Sequence, residues 1–267
     1  DKLFHDNGVS APQYYPKGFA PYIAKPDSAS GSHGVVYLRT REEADLCAKE
    51  TPDAVIQEVI EGPSYSIEII GRPGNYRTYE ITEIHMDEIY DCKMVTSPCD
   101  ISDELKESFA HEAVRIAEIM KLEGIMDYEV IHSGKNIAML EIDARLPSQT
   151  PTVVYKASGM NMIEELYDLF VTGDFKTAYK SATKHAVLEH YIIEGKNIKA
   201  EGEHIMTAGK SLRYAEGFCE SQEAITDCRF YASYDEVSNS DNIDAQNEQE
   251  SIRNKTGDSW RVTFINS

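Results

Sequence analysis

The stretch from Ile125 to Arg145 constrains the fold of this chain more than any other. Two runs that read as strands, 125–131 and 136–142, flank the tetrapeptide HSGK, whose Ser-Gly pair is typical of a hairpin turn. In and just beyond the second run, Glu141, Asp143 and Arg145 stand at every second position between apolar neighbours. Because alternate side chains of a β-strand share a face, these three ionisable groups are predicted to point the same way.

The register of this hairpin decides which acids face each other. A loop centred on Gly134 sets Asp127 opposite Glu141, and this is the register we predict; a two-residue loop puts the two acids on opposite faces. Like charges opposed across a ladder are destabilising unless a cation neutralises them. Asp127, Glu141 and Asp143 would then form an oxygen-only cluster suited to Mg²⁺. The competing interpretation is a solvated acidic face on an acidic protein.

A second segment, YIAKPDSASGSHGVV, has the composition of a phosphate-binding loop. Lys25 ends a predicted strand, and Ser28, Ser30, Gly31 and Ser32 offer hydroxyls and open backbone N–H groups for phosphate oxygens. The segment has neither the P-loop nor the Rossmann glycine spacing. By itself the segment is more typical of an ordinary strand connection, but together with a carboxylate cluster it favours a nucleotide site.

Composition excludes several classes of partner. Asp and Glu total 46 against 26 Lys and Arg, and a net charge of −20 repels nucleic acid and anionic membranes. The five cysteines are odd in number and lack C-x-x-C spacing, which predicts reduced thiols and a cytoplasmic protein. Because the chain opens on Asp1, we expect a further N-terminal domain in the full protein.

The remaining signals predict an α+β fold with mainly antiparallel sheets. Thr40 and Glu43 form a capping-box pattern before a helix, Ser102 precedes a second helix, and a third is predicted from near Asn161 to Gly173. From about Ala186 the pattern changes to short strands. We therefore predict a small lobe over 1–60, a larger lobe over 61–185 and a β-rich lobe over 186–267.

The order of these features resembles the ATP-grasp superfamily of carboxylate–amine ligases. The likeness covers about residues 1 to 175 and lies in Lys25, SASGSHG, QEVIEG, MDYEVI and EIDAR. The longer stretches EIDARLPSQTPTVVY, HMDEIYDCKMVT and EGPSYSIEIIG are similar to one branch, the pyrrolysine-biosynthesis ligases, which join 3-methyl-D-ornithine to the ε-amine of L-lysine. The resemblance implies two α+β lobes holding ATP between antiparallel sheets. It also implies a Rossmann-like N-terminal domain that these residues do not contain.

The resemblance also implies roles for individual residues. ATP would be held by Lys25, Ser28, Ser30, Gly31, Ser32, Gln57, Glu58, Ile60 and Leu140. Two Mg²⁺ ions would be held by Asp127, Glu141 and Asp143, and the amino-acid substrates by Ser66, Glu68, Tyr90, Asp91, Arg145 and Ser148. Arg145 and Lys25 would act on the transferring phosphoryl group. His85, Asp87, Tyr90 and Asp91 would border the substrate pocket. The family's usual acidic ribose contact is replaced here by Pro63-Ser64.

Three alternatives remain open from the sequence. One is a different ATP-grasp ligase, for D-alanine or another amino acid, which a substrate panel would separate. Another is a nucleotide-binding module without turnover, which would not require Glu141, Asp143 and Arg145 together. A third makes His85, Asp87, Asp91 and Cys92 a transition-metal hydrolase site. In each ligase interpretation the partners are small amino acids, and a homodimer is possible.

Overall fold

The computed structural model describes most of the first 200 residues and short pieces thereafter. The described residues are 5–27, 34–87, 90–134, 137–194, 197–200, 202, 213–215, 218–220, 224–231 and 263–264. They form two sheets, a small one that is antiparallel throughout and a large one with a single parallel strand pair, and helices pack on both. The predicted α+β class with antiparallel sheets is confirmed.

The first lobe is a three-stranded sheet with one helix. Its strands are β1 (Tyr22–Pro26), β2 (Val36–Leu38) and β3 (Ala54–Glu58), in the order β2-β1-β3, and its helix is α1 (Arg41–Glu50). The Thr40 side chain accepts a hydrogen bond from the Glu43 amide at 3.2 Å, which confirms the predicted cap. The lobe closes around a small core of Tyr22, Ala24, Leu38, Ala44 and Ile56.

The second sheet contains twelve strands within the described residues. Its central path runs β12-β13-β14-β10-β7-β6-β4-β8-β9. The strands are β4 (Ser64–Arg72), β5 (Asn75–Thr78), β6 (Thr82–Met86), β7 (Cys92–Ser97), β8 (Gly124–His132), β9 (Ile137–Asp143), β10 (His185–Glu194), β11 (Asn197–Ala200), β12 (Arg213–Ala215), β13 (Phe218–Glu220), β14 (Ala224–Tyr231) and β15 (Thr263–Phe264). The β8–β9 hairpin forms one end of this path.

Helices cover both faces of the large sheet. The long helix α2 (Asp103–Met120) packs Phe109, Ala113 and Ile116 against one face, and Ser102 caps its start. The other face carries α3 (Thr150–Ser158) and α4 (Met162–Tyr167), which continues as a π-helical turn, Asp168–Thr172. This second face also carries the acids of the hairpin.

Two features of the helical layer differ from the prediction. The helix predicted from Asn161 to Gly173 is present, but its last turn is π-helical and ends at Gly173 with φ +98°. Helix α3 was not predicted, because its Thr, Pro and Val residues give a weak helical signal. It is stabilised by burial of Val153, Val154 and Ala157 against the sheet.

The region after Ala186 begins inside the large sheet. Strand β10 pairs with β7 from Ala186–Ser97 to Glu189–Met94 and with β14 on its other side. Within the described part of the chain, no helix is both long and apolar enough to cross a membrane.

Candidate functional site

The hairpin of β8 and β9 has a register different from the predicted one. Asp127 lies opposite Asp143, and Glu129 lies opposite Glu141, so the predicted pairing of Asp127 with Glu141 is wrong. At these acids the shift is two residues, which keeps their side chains on the predicted face. Asp127, Glu129, Glu141 and Asp143 therefore project from the same side of the sheet, and the common orientation of Glu141 and Asp143 stands.

A longer turn and a bulge together explain this register. His132 pairs with Ile137, so four residues separate the strands at the turn. That turn alone would place Asp127 opposite Ile142, on the wrong face. The pairing slips by one residue between Glu129 and Val130, and Leu140 is the extra residue on β9. The bulge returns the four acids to one face.

The acids of this hairpin are crowded and partly withdrawn from water. Burial, followed by the charge of Asp143, raises the pKa of Asp127 to about 6. Burial also raises the pKa of Glu129 to about 8, with Asp127 and Glu141 as the next causes. Glu129 was not among the predicted site residues, although its spacing of two from Asp127 placed it on the same face of the strand. Four ionised carboxylates on one face of a hairpin repel each other, so nearby cations are needed to neutralise them.

Two cations of the chain lie beside the acids. The Arg145 guanidinium donates to Asp143, Nη2–Oδ2 2.6 Å, and its charge lowers the pKa of Asp127. Burial and Asp143 raise the pKa of Glu141, while Lys25 and Arg145 act in the opposite direction. Lys25 belongs to β1, so its influence on Glu141 means that the small sheet faces the acidic end of the large one.

The carboxylates fit Mg²⁺ by their chemistry, although they are not a closed metal cage. Within the described residues, no three His, Cys, Asp or Glu side chains converge closely enough to hold a metal ion by themselves. Mg²⁺ commonly takes one or two carboxylates and completes its shell with phosphate oxygens and water. An open face of acids next to a lysine suits that mode of binding.

Replacing Glu129 with Gln should raise the melting temperature by several degrees at pH 8.5 and change it little at pH 4.5. The folded pKa of Glu129 is above that of an unfolded glutamate, so its contribution to stability is full below the unfolded pKa. The contribution is lost as pH rises towards 8. Glu129 is then ionised in the unfolded chain, so folding must either bury its charge or take up a proton. Metal-free thermal melts of both proteins across this range measure the effect. An equal shift at both pH values would contradict it.

A second polar cluster lies beside the acids, on β4. Glu68 pairs with Asp127 and Ser66 pairs with Glu129 across the β4–β8 ladder, so all four share a face. Glu68 is fully buried, and burial raises its pKa to about 8, while the hydroxyls of Thr150 and Ser66 lower it. These hydroxyls lie near the carboxylate, but none of the three side chains has a hydrogen bond of good geometry to any described residue.

The predicted adenine contacts lie where the two sheets meet. Gln57 and Glu58 end β3, and the chain then enters β4 through 59–63. Gln57 is buried, whereas the Glu58 carboxylate accepts from the Gln13 amide, Oε1–N 2.9 Å. Ile60 is half-buried within the connection. Leu140 is half-buried at the bulge of β9.

The loop between β6 and β7 is held by its own aspartates. Asp91 is buried, and its amide donates to Asp87 Oδ1 at 3.0 Å. Asp87 Oδ2 accepts from the Gly202 amide at 3.1 Å, where any larger residue would collide with both carboxylates. Tyr90 is 43% exposed with φ +63°, a strained conformation for a bulky residue.

His85 was expected to border the substrate pocket, and its position does not support this. It follows Glu83 on the face of β6 shared with Tyr65, opposite to the face of Ser66 and Glu68. Its Nε2 lies 3.4 Å from the Thr96 hydroxyl. With Asp87 engaged by backbone amides, the hydrolase alternative has no converging ligands among the described residues.

Several predicted residues are exposed or undescribed. Ser28, Ser30, Gly31 and Ser32 lie outside the described residues, so the predicted phosphate loop stays a prediction. Ser148 is exposed in the short connection that leads from Arg145 to α3.

Comparison with known proteins identifies relatives of this architecture. The family described as an ATP-grasp domain matches residues 2–149. The 3-methyl-D-ornithine–L-lysine ligase of Methanosarcina barkeri is 37% identical over 210 residues, which cover 77% of this chain and 54% of that protein. The D-alanine–D-alanine ligase of Flavobacterium johnsoniae is 26% identical over 162 residues, which cover 55% of this chain and 50% of that protein. The chain thus spans about half the length of the curated relatives it matches.

Solved structures share the fold at low sequence identity. The L-amino acid ligase of Bacillus licheniformis superposes with a TM-score of 0.63 at 15% identity, covering 89% of this chain and 66% of that one. At this identity the likeness supports the fold alone.

Proposed function

Because the chain belongs to the ATP-grasp family, we propose that it provides the ATP- and substrate-binding part of a ligase that joins 3-methyl-D-ornithine to the ε-amine of L-lysine. The observation that carries this proposal is the common face of the large sheet. There, four carboxylates beside Lys25 and Arg145 adjoin Glu68, a buried acid without a partner among the described residues. The first group suits a metal–polyphosphate, and the second suits an amine-bearing substrate.

ATP would lie between the two sheets, with its phosphates towards the hairpin. Lys25 would contact the phosphate oxygens, assisted by hydroxyls and amides of Ser28, Ser30, Gly31 and Ser32. Adenine would be held at the connection between lobes by Gln57, Glu58 and Ile60, with Leu140 against the ring. Support comes from Lys25, whose charge acts on Glu141.

Asp127, Glu141 and Asp143 would hold Mg²⁺, and we add Glu129 as a neighbour of these ligands. Two ions are expected on this surface. When bound, Mg²⁺ supplies neutralisation of the phosphate charge. Because the pKa values of Asp127, Glu129 and Glu141 are raised, these three acids carry less charge without the ion than with it.

Amide formation in water is uphill, so the carboxylate must first be activated. The substrate carboxylate attacks the γ-phosphorus of ATP, ADP leaves, and an acyl phosphate forms. Arg145 would turn from Asp143 towards the transferring phosphoryl group and steady its charge. The neutral ε-amine of lysine then attacks the acyl carbon, and phosphate leaves. Positioning by the two lobes and exclusion of water account for most of the catalysis.

The amino-acid substrates would occupy the cleft next to these phosphates. Ser66 and Glu68 would bind the ornithine-type substrate through its amines, with Tyr90, Asp91, Arg145 and Ser148 at the border. The buried position of Ser66 and Glu68 beside Asp127 and Glu129 supports this assignment. Cys47, Cys92 and Cys99 are not in disulfides, which is compatible with a cytoplasmic site of action. The enzyme could act there as a homodimer.

A substrate panel tests the function directly. We expect the purified protein to release ADP with D-ornithine or 3-methyl-D-ornithine only when L-lysine is also present, and to yield a product of the mass of the amide. A D-alanine panel serves as the control, because a D-alanine–D-alanine ligase is the second candidate at 26% identity. ADP release with D-alanine alone, and none with the ornithines, would overturn the proposed substrates. Nucleotide binding without ADP release on any substrate would favour a non-catalytic module.

A further inference from the structure

A cavity separate from the acids of the hairpin lies at the edge of the large sheet. Its volume is about 700 Å³, which is within the range of small-molecule sites. It lies between β5, the first two turns of α2 and the segment 179–182 that leads towards β10. Ile67 of β4 lines it, and alternate side chains of a strand point to opposite faces. The cavity therefore contacts β4 from the side opposite to Ser66 and Glu68.

Three tyrosines line this cavity, and the hydroxyl of each has a partner within the protein. The Tyr76 hydroxyl donates to two backbone carbonyls near the end of α2, at 3.2 and 3.1 Å. The Tyr79 hydroxyl donates to Glu165 at 3.1 Å, and the Tyr179 hydroxyl donates to the Glu80 carboxylate. With their hydroxyls engaged, the tyrosines offer a ligand mainly ring surface. The face of an aromatic ring attracts cations.

The two bases that line the cavity are neutralised by acids. Arg77 forms an ion pair with the buried Glu165. The Lys106 ammonium lies 3.4 Å from Asp103, one turn earlier on α2. Neither base therefore gives the cavity a net positive charge, and an anionic ligand would have to displace an existing partner.

Glu80 gives the wall of the cavity a negative charge. It is half-buried, and one carboxylate oxygen accepts from the Ala182 amide, Oε1–N 2.6 Å. No basic side chain in the described part of the chain forms an ion pair with it. Glu80 also lies next to the ring of Tyr179, through the hydrogen bond of its hydroxyl. A carboxylate without a counter-ion thus adjoins aromatic surface, and this combination attracts a cation.

We propose that this cavity is a second ligand site, which binds an alkylated ammonium ion with an apolar body. A primary ammonium needs three acceptors, whereas the tyrosine hydroxyls of this cavity are already bonded. A tertiary or quaternary ammonium needs one acceptor or none, and ring faces and a carboxylate stabilise its charge. Its alkyl groups would contact Ile67, Ile81 and Ala110 on the apolar side of the cavity. This ligand class differs from the primary amines of the proposed ligase substrates.

The site adjoins the strand that carries the proposed substrate residues. Ile67 stands between Ser66 and Glu68, and the Tyr79 amide donates to the Glu68 carbonyl at 3.1 Å. A ligand of the cavity would contact Ile67 from the opposite face of the strand. It therefore binds beside the ligase cleft and does not compete with the nucleotide or the amino acids.

Calorimetric titration of the purified protein with choline tests the site. The control ligand is 3,3-dimethylbutan-1-ol, which has the shape of choline without its charge. We expect choline to bind about tenfold more tightly than this alcohol, because only the cation is attracted to the rings and to Glu80. Saturating MgADP and D-ornithine should leave the choline Kd unchanged. Absence of choline binding, equal binding of the two ligands, or loss of choline binding with MgADP and D-ornithine present would overturn the proposal.

Variants of the cavity wall locate the bound cation. Glu80→Gln removes the charge but keeps an acceptor for the backbone amide, and we expect it to raise the choline Kd about fivefold. Tyr179→Leu should also raise it about fivefold, whereas Tyr179→Phe keeps the ring and should bind choline like the parent protein. The matched control is Tyr155→Leu on α3, since Tyr155 is 47% exposed and Tyr179 is 45% exposed. This control should not change the choline Kd.

The outcomes of this test do not depend on ligase activity. A choline Kd that stays unchanged in both Glu80→Gln and Tyr179→Leu, or that rises equally in Tyr155→Leu, would overturn the site. If thermal melts show that Glu80→Gln is unfolded, the difference between Tyr179→Leu and Tyr179→Phe decides. Choline binding with the expected variant pattern would support the site even if the protein ligated none of the proposed amino acids.

Discussion

Glu141→Gln should reduce turnover on the order of 100-fold while leaving binding of the ornithine-type substrate nearly unchanged. Glu141 faces Glu129 across the hairpin, and Lys25 acts on it from the small sheet. Its proposed partner is Mg²⁺ on the ATP phosphates, and an amide oxygen is a weaker ligand for that ion than a carboxylate. Asp143→Asn should also reduce turnover, and it removes the salt-bridge partner of Arg145. Rates of ADP release and calorimetric substrate binding measure the two quantities.

The matched control for this variant is Glu123→Gln. Glu123 is an exposed acid immediately before β8, so it tests loss of one negative charge without touching the hairpin face. We expect turnover of this control to equal that of the parent protein. High Mg²⁺ should partly restore Glu141→Gln, since a weakened site fills at higher concentration. Full turnover of both Glu141→Gln and Asp143→Asn at ordinary Mg²⁺ would exclude these residues as metal ligands.

Glu68→Ala should raise the KM for D-ornithine about 100-fold, because it removes the charged partner of a buried ammonium. D-norvaline serves as the comparison, because it has the same carbon chain without the terminal amine. The KM for D-norvaline should change little. Steady-state ADP release with the two substrates measures this difference.

Stability of the folded protein is the necessary control for Glu68→Ala. Burial already raises the pKa of Glu68 to about 8, so the metal-free fold gains little from its charge. We therefore expect the melting temperature of Glu68→Ala to stay near that of the parent protein at pH 7.5. A KM for D-ornithine that matches the parent value would remove Glu68 from the substrate pocket. A lower melting temperature with equal losses for both substrates would indicate a structural role instead.

Local sequence signals predicted the hairpin, the capped helices and the charged face. Ser102 and Thr40 mark their helices because their side chains accept the first free amides, which is a local interaction. Helix α3 escaped prediction because its stability comes from burial of Val153 and Val154 on a sheet that is distant in sequence. Thr150, which lies beside Glu68 at the start of α3, was missed for the same reason.

The sequence by itself determined that Glu141, Asp143 and Arg145 share a face, since alternation along a strand depends only on backbone geometry. It could not determine what lies opposite, because register depends on turn length and on the bulge at Leu140, which are set by packing around the whole hairpin. Tertiary structure alone placed Asp127 opposite Asp143, added Glu129 to the acids and brought Lys25 near Glu141. Tertiary structure also brought Thr150 of α3 beside the buried Glu68 of β4, a proximity that no spacing along the chain reveals.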